Sequence, residues 1–200
     1  MVYYISLGCD CSVSYNLRKL CLQKCGTMPF DWMKLMNINN LVDILDNDFR
    51  DVYDYSKYIK KKQNPVFDNQ QNLMANMSGD VGVKSLVKLV HMEYGFILPH
   101  ESVLDTIDVL EFEKKYSRRV ERFRCVVKDN TICKVFVRLL DKNNCKDTID
   151  NRIKKQNLEL ALSRYGCCNF EIKYINDTNL PEHSMFDWKR EYLPWQSLMY

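Results

Sequence analysis

Histidine is scarce in this chain: three residues among 200, at positions 91, 100 and 183, so imidazole chemistry has few possible addresses. No apolar run approaches the roughly 20 residues that a membrane-spanning helix needs, so no membrane partner is expected. Met1 to Leu7 is too short, and lacks the basic flank, to read as a secretory signal. Charge imbalance is absent as well. Twenty-nine basic residues face 26 acidic ones, a net of +3, which gives no reason to expect nucleic acid as a partner. Neither an internal repeat nor a low-complexity tract is present. Cysteine is the opposite case, with nine residues. Without an export signal these read as reduced thiols in a cytoplasmic protein rather than as a disulfide framework.

A hydrophobic fraction of 46% supplies a core, and 200 residues suit a single domain over residues 1–200. Within it, residues around 50–82 are polar, Asn- and Gln-rich and poorly periodic, and read as an irregular insertion with at most a short strand near Pro65 to Phe67. Tyr3 to Leu22 carries the strongest local pattern. A short apolar run ends in Leu7-Gly8, and then Val13, Leu17, Leu20 and Cys21 recur at helical spacing. That is strand, tight turn, helix, with Cys11 and Ser12 at the helix start. Further helices are expected over Asn39 to Phe49, Ile107 to Val127 and Lys146 to Tyr165, the last stopped by Gly166. On the second of these, Leu110, Val120, Phe123 and Val127 read as the buried side. Strands are expected at Tyr94 to Leu98, Ile132 to Leu140 and Asn169 to Ile175, and a short packed helix in the aromatic tail. The alternation predicts an α/β fold: three layers, a mostly parallel sheet with flanking helices. In such sheets the ligand site lies beyond the carboxyl ends of the strands.

Several spaced motifs are shared with a known family. Ser6-Leu7-Gly8, Cys11, Leu17-Arg18, Pro29 to Trp32, His100, Tyr116 to Phe123 and Phe136 to Arg138 occur in one order. In these the chain resembles a family of uncharacterised papain-like cysteine peptidases from bacteria and large DNA viruses, over roughly residues 2 to 140. The resemblance implies Cys11, rather than Cys9, as nucleophile and His100 as base. It also offers a papain-like α+β arrangement as the alternative fold, and the host cytoplasm as the compartment if the chain is viral. Glu101 stands where the family has Asp.

The residues themselves allow this chemistry. A thiol at a helix N-terminus is biased toward thiolate by unpaired N–H groups and the helix dipole. The same N–H groups, Ser12 included, offer oxyanion donors. Asp31, or Asp187 in a second Phe-Asp-Trp segment, is placed to orient the base. Arg118, Arg119 and Arg138 are candidates for clamping an anionic group of the substrate, although charges alternating along one helix usually form a solvated face. Cys9-x-Cys11 and Cys21-x3-Cys25 depart from the usual zinc spacing, so neither metal nor cofactor is expected. The resulting expectation is a thiol-dependent hydrolase or acyltransferase acting on a peptide, ester or thioester. Two alternatives stand beside it: a catalytically inactive interaction protein with a protein partner, and an Arg-lined binding module for anionic or sugar ligands.

Overall fold

The computed structural model describes residues 1–63, 86–99, 107–141, 143–177 and 189–199. Its first sheet contains β1 (Val2–Ser6), β5 (Cys133–Leu140) and β6 (Phe170–Asn176), in the order β1-β5-β6 and parallel throughout. The central strand β5 is nearly all apolar because both of its faces are covered. Val135, Val137 and Leu139 meet Val13 and Leu17 of α1 (Cys11–Lys19), together with Trp195 and Leu198 from the end of the chain. On the other face, Phe136 and Leu140 join Ile5 and Leu7 against α3 (Val109–Lys128) and α4 (Ile149–Arg164). The three layers are therefore α1 with the terminal segment, the parallel sheet, and α3 with α4. The α/β expectation holds, and the parallel pairing is the feature that separates it from the papain-like alternative.

A second sheet was not anticipated as a separate unit. It comprises β2 (Tyr58–Gln63), β3 (Leu86–His91) and β4 (Ile97–Leu98), all antiparallel. Its residues Tyr58, Leu89 and Leu98, with Phe96 just before β4, belong to the same apolar cluster as α3, α4 and α2 (Ile38–Asp46). An isolated bridge between Lys34 and Ile97 ties this sheet to the loop after the Pro-Phe-Asp-Trp motif. Residues 58–63, assigned above to an irregular insertion, are thus a strand; Pro65 to Phe67 lies outside the described residues. The strand expected at Tyr94 to Leu98 shrinks to two residues. Gly95, at φ +63°, makes the preceding turn, and the His91 N–H donates to the Phe96 carbonyl.

Helix termini follow local chemistry. Asn37 caps α2, Asp108 caps α3 and Thr148 caps α4, each accepting from an N–H of the first turn. Leu110 is 59% exposed rather than buried. The inward stripe of α3 is Phe112, Tyr116, Val120, Phe123 and Val127 instead, which share one face at 100° per residue while Leu110 falls outside it. Phe123 meets Phe30 at 5.6 Å and Phe49 at 5.2 Å, both edge-to-face, so the motif loop is anchored by aromatic contact. No described helix is long and apolar enough to cross a membrane.

Candidate active site

The turn after β1 has to pass very close to another loop. Leu7 N–H still pairs with the Val137 carbonyl at 2.9 Å. Gly8 then takes φ +72°, and a Cβ there would lie 3.2 Å from the Phe30 carbonyl oxygen and 3.4 Å from that of Met33. Only glycine fits both the conformation and the approach. Cys9 follows at φ 91°, a strained value for a residue with a Cβ. Its carbonyl accepts from Leu35 N–H at 3.0 Å, and its Sγ lies 3.4 Å from the Met36 sulfur. Burial pushes the Cys9 thiol up to about 12.

Asp10 caps α1. One carboxylate oxygen accepts both the Ser12 N–H, at 2.9 Å, and the Ser12 hydroxyl, at 2.5 Å. The other accepts from Arg190 Nε at 3.0 Å, and Arg190 Nη1 donates to Asp177 Oδ2 at 2.6 Å. Asp177 directly follows β6, so the carboxyl ends of both outer strands are joined by one buried guanidinium.

Cys11 is the first residue of α1, at the carboxyl end of the parallel sheet as expected, but only 3% exposed. Its thiol sits well above the ordinary range. Burial is the main cause and the Asp10 carboxylate the next; Asp31 adds to it, while Lys34 and the residue's own N–H work the other way. The thiolate bias anticipated from the helix start is therefore corrected: the sulfur is enclosed, and that burial works against its ionisation. Ser12 likewise has both its amide and its hydroxyl engaged by Asp10 and does not present a free donor. The signal for this was in the sequence: Asp-x-Ser ahead of an apolar-periodic run is a capping pattern.

Asp31 is fully buried in the loop between α1 and α2. Its Oδ2 accepts from Met28 N–H at 2.7 Å and from the Gln23 amide, with Arg18 Nη2 at 3.6 Å. Arg18 lies 5.1 Å over the Trp32 ring and donates to the Thr27 hydroxyl, which accounts for the Leu17-Arg18 motif. Oδ1 of Asp31 is buried without a hydrogen-bond partner, and so is Nη1 of Arg119 on α3. Burial raises the Asp31 carboxyl above the ordinary 3.8, outweighing the Met28 and Gln23 hydrogen bonds and the charges of Arg18 and Arg119.

The three candidate arginines go to different environments. Arg118 is exposed. Arg119 is half-buried, 4.9 Å over the Tyr116 ring. Arg138 is fully buried, donating from Nη1 to the Leu7 carbonyl at 2.7 Å and from Nη2 to those of Leu35 and Met36. It clamps the β1–α1 turn to the loop before α2, and its forked donors face backbone rather than a ligand.

His100, the base implied by the resemblance, lies outside the described residues, as do His183 and Asp187. His91 is fully buried and structural. Its Nδ1 accepts from the N–H groups of Glu93 and Tyr94 at 3.3 and 3.2 Å, while Nε2 faces the Asp51 carbonyl at 3.1 Å. That fixes a neutral tautomer stacked between aromatic rings, with burial lowering its pKa. Among the described residues, no three His, Cys, Asp or Glu gather in a way that could hold a metal ion. A cleft of about 320 Å³ lies at the far end of α1 from Cys11, between Lys19 and Trp195, and its Lys19 and Glu191 pair at 3.1 Å.

A family model described as "Putative papain-like cysteine peptidase" matches residues 2–179. A protein of Acanthamoeba polyphaga mimivirus, itself called uncharacterized, is 25% identical over 189 residues, covering 92% of this chain and 81% of the relative. No solved structure matches.

Proposed function

This chain belongs to the "Putative papain-like cysteine peptidase" family, and on that premise we propose that it is a thiol-dependent hydrolase or acyltransferase acting on a peptide, ester or thioester. The observation that carries the reading is the placement of two buried groups on adjoining segments. Cys11 opens α1 at the carboxyl edge of the parallel sheet, and Asp31, in the loop whose Phe30 carbonyl lies against the Gly8 turn, keeps one carboxylate oxygen uncommitted. A buried acceptor without a partner is costly unless something completes it. An imidazole N–H is a fitting complement, and the resemblance supplies His100.

The resting nucleophile in this scheme is neutral. His100 takes the thiol proton as Cys11 Sγ bonds to the carbonyl carbon, and the carbonyl electrons move onto oxygen. Collapse of that adduct expels the leaving amine, alcohol or thiol, which receives the proton from the imidazolium and leaves a thioester on Cys11. Water, or an acceptor nucleophile in acyl transfer, then releases the acyl group and restores the thiol. Asp31 orients the imidazole and steadies its transient charge. All nine cysteines are free, which suits a thiol chemistry in a reducing compartment.

The enclosure of Cys11 and the engagement of Ser12 favour a second reading, a catalytically inactive interaction protein. Incubation with a panel of peptide amides, esters and acyl thioesters, followed by intact-mass measurement and peptide mapping, separates the two. The enzyme reading expects an acyl adduct on Cys11 and turnover of at least one class; neither adduct nor turnover across the panel refutes it.

Asp31→Asn gives a sharper test. The amide oxygen still accepts from Met28 and Gln23, so the fold is retained, while the acceptor for the base is lost. Turnover should fall about 100-fold or more. Stability should respond to pH in the opposite way to a surface carboxylate. A folded carboxyl raised above its unfolded value means the native state holds the proton longer, so wild-type stability is lost as pH rises above 3.8 through the raised value. The Asn variant lacks that loss. Parallel urea titrations from about pH 3.5 to 7 check it; identical slopes in the two proteins would refute the assignment.

A further inference from the structure

Helix α4 is apolar on two opposite sides. Leu158, Ala161 and Leu162 are buried in the apolar cluster that α4 shares with α2, α3 and the parallel sheet. Ile149, Ile153 and Leu160 are 78%, 49% and 48% exposed. At 100° per residue those three fall within a 40° stripe facing away from the buried side. Single exposed apolar side chains are ordinary, but three aligned on one helix form a seam. Their spacing is that of coiled-coil core positions, with Gln156 filling the remaining place.

We infer that this seam pairs with the same seam of a second copy, antiparallel and about a two-fold axis. The charges beside it select that occupant. Arg152 and Glu159 are both exposed and seven residues apart, so they share one flank of the seam. When two α4 helices run antiparallel with Ile149 over the partner's Leu160 and Ile153 beside the partner's Gln156, Arg152 faces the partner's Glu159. The two-fold repeats that pair in reverse. Parallel pairing would not bring these opposite charges together. Arg152 now pairs with Asp147 at 2.6 Å, but both side chains are about 70% exposed, and such pairs exchange readily. Sixteen residues give a contact only about 24 Å long, so the dimer is weak and concentration-dependent.

Sedimentation equilibrium of the full chain under reducing conditions, from about 10 μM to 1 mM, tests this. The mass should rise from monomer toward dimer across that range. Ile153→Glu should leave a monomer throughout. Arg152→Glu should weaken association at least tenfold by setting like charges opposite each other, and the double exchange Arg152→Glu with Glu159→Arg should restore it. Circular dichroism checks that each variant is folded. A wild-type chain monomeric at every concentration, or an exchange variant no tighter than Arg152→Glu, overturns the pairing.

Discussion

Turnover should disappear, by about a thousandfold or more, when Cys11 is replaced by serine. The substitution removes one polarisable atom from a buried first turn and leaves the Asp10 cap, the Gly8 turn and the apolar face of α1 untouched, so the fold should persist. The pH dependence should distinguish this enzyme from one with a preformed thiolate. Because burial and Asp10 disfavour loss of the Cys11 proton, the acid limb of the rate profile should follow protonation of the base rather than of the thiol. Iodoacetamide should label Cys11 slowly at neutral pH and faster only above the usual thiol range. Rapid labelling at pH 6, or a Cys11→Ser protein as active as wild type, would sink the scheme. The site of labelling is read by peptide mapping, since eight other thiols compete.

Arg138→Met should cost about 2–4 kcal/mol of folding free energy, from the carbonyls it leaves unpaired. The guanidinium holds three carbonyls, those of Leu7 in the β1–α1 turn and Leu35 before α2 in buried hydrogen bonds and that of Met36 in a part-buried one. Methionine fills much of the volume and satisfies none of them, and unpaired buried acceptors are what make such losses large. Arg138→Lys should fall between, because one ammonium cannot reproduce the fork that spans two segments. Urea unfolding followed by circular dichroism gives both values. A loss below about 1 kcal/mol for the methionine variant would show that the clamp is not structural.

The helices and parallel strands were legible because their signals are local: apolar period, a glycine stop, a β-branched run. The phase of α3 is legible too, since at 100° per residue Phe112 and Tyr116 align with Val120, Phe123 and Val127 and Leu110 does not; the ring contacts of Phe112 with Tyr55 and Tyr58 agree with it. The second sheet was missed because β2, with its three lysines, lacks the apolar alternation expected of a half-buried strand. At the site, the position of Cys11 followed from the sequence but its environment did not. Enclosure depends on what packs over α1, and the Arg190 link to Asp10 spans 180 residues that no motif connects. Arg138, near the carboxyl end of β5, reads as a ligand clamp because ligand sites lie beyond that end of parallel strands; here the Gly8 turn folds over it. Asp31 stands out in the sequence by its motif, whereas its uncommitted oxygen depends on which groups the fold brings around it.

The outer cover of α1 is made by residues near the far end of the chain. Trp195 and Leu198 complete its apolar cluster, Asn16 holds the Lys189 carbonyl, and the Tyr4 hydroxyl of β1 holds that of Leu198. During vectorial synthesis the earliest strand and helix therefore emerge with one side bare and stay so until residues 189–198 have left the ribosome. Nascent chains arrested before that point should recruit holdase chaperones to the α1 surface.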